Sequence, residues 1–199
     1  MGADHPKARK WTGLTARIRQ FLAAREGASA VEFAFLAPVL LSIYISAFEI
    51  TNGYTAAGKI LKATASISDI VARQPHVDRA FLSEMIDAAE ATIAPHSTDG
   101  LELKISGVTI DSAGNAKVLW SWDQDGNAPY ARGAAVSVPE DLRAPSSFLV
   151  HSEISVPHEL LLFLSAGAIG SKSLKTITIR REFFYRQRLG DDVPCTDCG

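Results

Sequence analysis

Cysteine is scarce in this chain: the 199 residues hold two, Cys195 and Cys198, both close to the C-terminal end. A lipid-anchored precursor needs a cysteine directly after its apolar run, so that route is excluded. The short motifs of common enzyme classes are missing as well. There is no phosphate-binding glycine loop, no G-x-S-x-G elbow and no H-E-x-x-H helix. Neither an enzyme nor a bound cofactor is expected, and chemistry performed on the protein is a better expectation than chemistry performed by it. An excess of positive charge is also lacking. Lys and Arg number 20 against 22 Asp and Glu, and from Thr51 onward the balance is about −4 by count. Nothing therefore points to nucleic acid. The chain carries no internal repeat and no low-complexity tract.

What the chain does have is one long apolar run, from Ala28 to Ile50. As a helix rising about 1.5 Å per residue it covers about 34 Å, enough for a hydrocarbon core about 30 Å thick. Its flanks are asymmetric. Lys7, Arg9, Lys10, Arg17, Arg19 and Arg25 stand before it against Asp4 and Glu26, a net of about +4. Positive flanks stay in the cytoplasm, which sends the remainder outward. Glu32 and Glu49 lie near the ends of the run, where a charge costs less than the about 2.5 to 3.5 kcal/mol it costs at a helix centre. A buried helix of a soluble protein is the competing reading, but nothing later in the chain is large enough to surround it. Cleavage as a secretory signal is not expected, because Phe48-Glu49-Ile50-Thr51-Asn52-Gly53 contains no small-x-small site.

The basic leader, then Gly27-Ala28-Ser29-Ala30-Val31-Glu32-Phe33 and the hydrophobic helix, resembles the type IV pilin class. In that class a membrane prepilin peptidase cuts after the glycine on the cytoplasmic side. The long leader and the string GASAVEFAFLAPVLL, residues 27–41, are similar to the TadE-type minor pseudopilins of the Tad (Flp) pilus. The resemblance covers residues 15–50, with a weaker echo at the C-terminal end. It implies a minor or accessory subunit, since a major Flp pilin is far shorter and a TadG-like member usually larger. It also implies processing at Gly27 and Ala28, and an assembly role for Glu32, Phe33 and Pro38. The implied partners are the prepilin peptidase, other Tad pilins and pseudopilins, the inner-membrane assembly platform with its cytoplasmic ATPase, and membrane lipid.

The motif has its own physical logic. A cut between Gly27 and Ala28 creates an α-amine at Ala28, and Glu32 follows one helical turn later, so the two charges can neutralise each other. Attraction near the low-dielectric boundary is offset by lost hydration, and the pairing works equally well between neighbouring subunits. Alternatively, Glu32 simply reaches back toward lipid headgroups. Gly27 has no Cβ, which lets an extended backbone fit closely in a peptidase site. Pro38 removes a backbone donor inside the helix and bends it. Ser42, Tyr44 and Ser46 are candidates for contacts between helices, although there is no GxxxG pair.

Beyond the run, Tyr54, Ala57, Leu61, Thr64, Ile67 and Val71 recur at helical spacing, which predicts that the helix continues outward until Arg73-Gln74-Pro75, with a bend possible at Gly53 and Gly58. A second helix is expected after Asp78 as its cap, with Leu82, Met85, Ile86, Ala89 and Ile93 inward and Pro95 closing it. Then the period changes to two. Strands are expected from Leu101 to Ile110 with a bulge at Gly107, then from Lys117 to Trp122, Phe148 to Val156 and Leu174 to Arg186. Asp111-Ser112-Ala113-Gly114-Asn115 reads as a hairpin loop. The predicted fold class is α+β: a single N-terminal transmembrane helix extended into the periplasm, a second helix, and a small antiparallel sheet of pilin-like outline. The organisation is a basic cytoplasmic leader over 1–27, the membrane helix over 28–50, and a periplasmic domain over 51–199.

Three short motifs need weighing. Asp123-Gln124-Asp125-Gly126-Asn127 offers alternating oxygens, but Ala128 stands where an EF-hand loop needs glycine, so a surface turn is expected. Leu160-Leu161-Leu162-Phe163-Leu164 is too short to span and reads as core, a partner surface or a membrane-resting segment. Cys195-Thr196-Asp197-Cys198 has the spacing of a redox motif but not the following helix that lowers a thiol pKa. In an oxidising periplasm it becomes a disulfide, either a small internal loop or an intersubunit bridge. A metal half-site is the weaker alternative, since His76, His96, His151 and His158 show no ligand spacing.

The leading expectation is a TadE-like minor pseudopilin that helps assemble or initiate an adhesion pilus from the bacterial inner membrane. The alternatives are an uncleaved, membrane-anchored periplasmic binding module, or a thiol-redox protein using Cys195 and Cys198.

Overall fold

The computed structural model describes residues 28–160 and 176–198. Gly27 and the leader, and Leu161 to Leu164 of the leucine-rich run, lie outside the described residues. The chain divides between Ala47 and Phe48 into two units.

In the first unit the described residues are all helical. They belong to α1, Ala28–Ala72, which continues without interruption through Pro38, Gly53 and Gly58. Pro38 offers no N–H to the turn before it. One and two turns later, the Ser42 hydroxyl donates to the Pro38 carbonyl at 2.8 Å and the Ser46 hydroxyl to the Ser42 carbonyl at 2.8 Å. These hydroxyl protons are therefore spent within the helix itself, which modifies the expectation of contacts between helices at Ser42 and Ser46. The apolar side chains of this stretch, Phe33, Phe35, Leu36, Leu40 and Tyr44 among them, are exposed. The helix is long and apolar enough to cross a membrane.

In the second unit, the remainder of α1 packs with α2, Arg79–Ile93, against one face of a four-stranded antiparallel sheet. The buried face of α1 is Ala56, Ile60, Ala63, Thr64, Ile67, Ser68 and Val71. Tyr54 and Leu61 are exposed, contrary to the stripe expected from the sequence. Alanine and hydroxyl residues on the true face permit close approach to the sheet, and they leave little hydrophobic contrast around the helix to mark which face is inward.

Asp78 caps α2: the Phe81 N–H donates to its carboxylate at 2.8 Å. Leu82, Met85, Ala89 and Ile93 are buried as expected, while Ile86 is half-buried at the edge of the core.

The strands are β1, Glu102–Ile110, β2, Ala116–Asp123, β3, Ser147–Glu159, and β4, Thr176–Arg186, in the order β2-β1-β3-β4. The β1–β2 register shifts between Gly107 and Val108, the expected bulge. Glycine is required there because a Cβ would lie 2.4 Å from Trp120 Nε1 and 2.7 Å from Phe148 Cζ. On the helix-facing side, Leu103, Ile105, Trp120, Trp122, Phe148, Val150, Ile154 and Val156 complete the main core. The other side carries a smaller apolar cluster of Val108, Ile110, Ala116, Val138 and Leu149.

β2 is bounded by two copies of one turn, Asp-x-x-Gly-Asn. The Asp111 carboxylate accepts from the N–H groups of Ala113 at 2.9 Å and Asn115 at 2.8 Å. These bonds hold its pKa below the ordinary carboxylate value. The Asp123 carboxylate likewise accepts from the N–H groups of Asp125 at 3.1 Å and Asn127 at 2.8 Å. The turn glycines, Gly114 and Gly126, take φ of 82° and 77°. After the second turn the chain returns along the outer edge of β2, with Val118 N–H donating to the Ala134 carbonyl and Val136 N–H to that of Ala116. That return covers an edge otherwise open to pairing.

Candidate functional site

Of the residues singled out for processing and assembly, Gly27 lies outside the described residues, and Ala28, Glu32, Phe33 and Pro38 lie on the first turns of α1. Ala28 is the first described helical residue, and Glu32 and Phe33 follow on the next turn, both exposed, Phe33 at 66 %. Pro38 is exposed as well. The stretch is thus an uncovered apolar helical surface with a single carboxylate near its start. Apolar surface of this extent on an otherwise compact protein marks a membrane- or protein-facing segment.

Cys195 and Cys198 form a disulfide within the chain, with Cα atoms 5.5 Å apart. This selects the internal loop from the pairings left open above. The donor atoms of Cys195, Asp197 and Cys198 lie within 4.8 Å of one another, the one such group among the described residues. With both sulfurs bonded to each other, neither is the thiolate a metal site needs. The loop is seated on the start of α2. Val77 N–H donates to the Pro194 carbonyl and Thr196 N–H to the Val77 carbonyl, each at 3.0 Å. Asp197 accepts from the N–H of Arg79, the first residue of α2, at 2.8 Å. Upstream, Val193 is fully buried and its carbonyl accepts the Trp120 indole N–H at 2.7 Å. No sequence spacing announces these contacts, which join residues 73 positions apart for Trp120 and Val193 and 118 for Arg79 and Asp197.

No family model matches this chain, nor does any curated protein or solved structure.

A third group, not foreseen from the sequence, lies on the sheet face away from the helices. Glu153 on β3, 4 % exposed, accepts hydrogen bonds from the Tyr130 hydroxyl and from the Arg180 guanidinium. Glu182 stands directly opposite Glu153 across β3 and β4, a like-charge pairing that destabilises a sheet unless compensated. Arg180 supplies the compensation. His151 lies between the carboxylates, Nε2 at 3.3 Å from Glu182 and Nδ1 at 3.8 Å from Glu153, and its ring stacks on Phe184 at 4.1 Å. Burial lowers the His151 pKa, against the opposing pull of Glu153 and Glu182. Burial and the Glu153 carboxylate push Tyr130 up to about 12, and Glu153 raises Arg180. These side chains line a cavity of about 280 Å³ that also takes in Ser106 and the returning segment at Ala134 to Ser137. Each polar group has a partner inside the cluster, so the arrangement accounts for itself as a buried network that fixes Tyr130 and its loop onto the sheet. The available signal was the period of two: His151 with Glu153, and Arg180 with Glu182, each put two polar groups on one face.

Proposed function

We propose that this protein is a TadE-like minor pseudopilin of a Tad (Flp) pilus assembly system. In this reading it is inserted in the bacterial inner membrane with its leader in the cytoplasm and residues 51–199 in the periplasm. A prepilin peptidase cuts after Gly27, and the α1 segment from Ala28 then docks among other pilins and the inner-membrane platform. The protein primes or positions the assembly and does not catalyse. The observation that carries the reading is the N-terminal stretch of the described helix: an uncovered apolar surface that places one exposed carboxylate, Glu32, a turn after Ala28, the residue whose amine cleavage would create. A helix whose side chains are exposed over most of residues 29–47 needs lipid or neighbouring helices to cover it, and both are provided in a membrane-embedded pilin assembly.

The test is the N-terminal residue of the protein isolated from membranes of its own host, beside Gly27 and Glu32 substitutions and a strain without prepilin peptidase. The expected result is a start at Ala28 that disappears in the peptidase-deficient strain and in the Gly27 variant. An intact leader in every strain overturns the reading and leaves an anchored periplasmic module.

A further inference from the structure

A disulfide between residues three apart closes a very small loop. The chain-entropy gain from a cross-link grows with the length of loop it closes, so Cys195–Cys198 adds little to the stability of the protein as a whole. Its consequence has to be local, and the local surroundings are specific. Within the loop, the Cys198 N–H points at Cys195 Sγ at 3.2 Å, Thr196 reaches the backbone of Val77, and Asp197 reaches the N–H of Arg79. The first turn of α2 is therefore served by two carboxylates: Asp78 takes the N–H of Phe81, and Asp197 takes that of Arg79. Helix starts leave their first N–H groups without partners inside the helix and favour negative charge. Asp78 is supplied by the adjoining chain. Asp197 comes from far away in sequence, and its position depends on the shape of the loop that carries it.

We propose that Cys195–Cys198 is a redox-controlled clasp: oxidised, it holds Thr196 and Asp197 against the entry to α2; reduced, it releases them while the sheet and the Val193 anchor stay in place. The cysteines are half-buried and the two residues between them exposed, so a thiol reagent can approach. The partner class is a dithiol, either a protein with a paired-cysteine site or a small molecule. One thiolate of the dithiol attacks a sulfur of the pair, giving a mixed disulfide and expelling the other cysteine as a thiolate. The second thiol of the dithiol then displaces the attached cysteine. The partner leaves oxidised to a disulfide, and Cys195 and Cys198 gain two electrons and two protons. The anchor is independent of this exchange, because Val193 is buried and its bond to Trp120 lies outside the loop.

The experiment is amide hydrogen exchange on the full chain in detergent, before and after dithiothreitol. Exchange at Arg79 and Thr196 is expected to accelerate tenfold or more on reduction, with β1, β3 and Leu82 unchanged. The double variant Cys195→Ser/Cys198→Ser should show the fast pattern without reductant. In the oxidised protein, Asp197→Asn should speed Arg79 and leave Thr196 protected. Unchanged exchange after complete reduction, verified by thiol titration, overturns the clasp. Loss of protection across the sheet overturns it as well, since the disulfide would then support the whole fold.

Discussion

Trp120 donates its indole N–H to the carbonyl of Val193 at 2.7 Å, both residues buried, and this bond joins β2 to the segment that follows β4. Trp120→Phe removes the donor and strands a buried carbonyl, which costs about 1 to 3 kcal/mol in addition to the lost ring volume. A urea melt should show the lower midpoint, with protection of the Val77 amide falling along with it.

Gly107 admits no side chain beneath the Trp120 ring. Gly107→Ala forces Trp120 or Phe148 aside and should destabilise by about 1 to 3 kcal/mol. Gly114→Ala, in open space on a turn, is the comparison: its cost comes from the φ of 82° alone. Thermal melts of the two variants should differ in near-ultraviolet circular dichroism, with the Trp120 signal altered for Gly107→Ala.

These two positions show what is legible along a chain. The Asp78 cap and the Asp111 turn depend on residues a few places apart, and the Gly107 bulge shows as a break in a local alternation, so all three could be read in advance. The inward face of α1 could be read only in part, at Thr64, Ile67 and Val71 of its later turns, which are buried as expected; elsewhere on it, Ala56, Ala63 and Ser68 carry less hydrophobic signal than the exposed Tyr54 and Leu61. The Glu153 network and the seat of Asp197 escaped for another reason: each unites segments whose proximity is a property of the completed sheet.

Among the described residues, Arg180 is the one arginine or lysine paired with Glu153. Arg180→Ala leaves a carboxylate that is 4 % exposed with Tyr130 as its remaining donor. A loss of about 1 to 3 kcal/mol is expected, since Arg180 itself is more than half exposed. Glu153→Gln in the same chain should restore part of it, so the double-mutant cycle should give a coupling of the order of 1 kcal/mol.

His151 titrates below its ordinary value of 6.5 because it is buried. The unfolded chain takes up a proton as the pH falls through that value, while the folded chain resists. Its contribution is therefore intact above about pH 6.5 and declines as the pH drops toward the folded pKa. Denaturation midpoints measured from about pH 7 to about pH 5 should fall less steeply for His151→Gln than for the native chain.

Glu32→Gln tests the assembly role in the proposed function. Cleavage after Gly27 should continue, whereas co-purification with other pilins should drop at least tenfold, read by immunoblot of detergent-solubilised membranes. Equal recovery would assign Glu32 to the membrane interface alone.

The paired Asp-x-x-Gly-Asn turns make β2 a strand of counted length. Gln124 and Asp125 stand in one turn where Ser112 and Ala113 stand in the other, and the hydrogen bonds coincide. With both ends punctuated in the same way, an extra residue inserted between them finds no slack to dissipate into. It must become a second bulge or turn Trp120 and Trp122 away from the helices. This stretch behaves as a measured spacer, and its turns as parts of one backbone pattern, the second of which is also tied to β1, since the Gln124 side-chain oxygen accepts the Leu103 N–H and the Gln124 N–H donates to the Leu103 carbonyl.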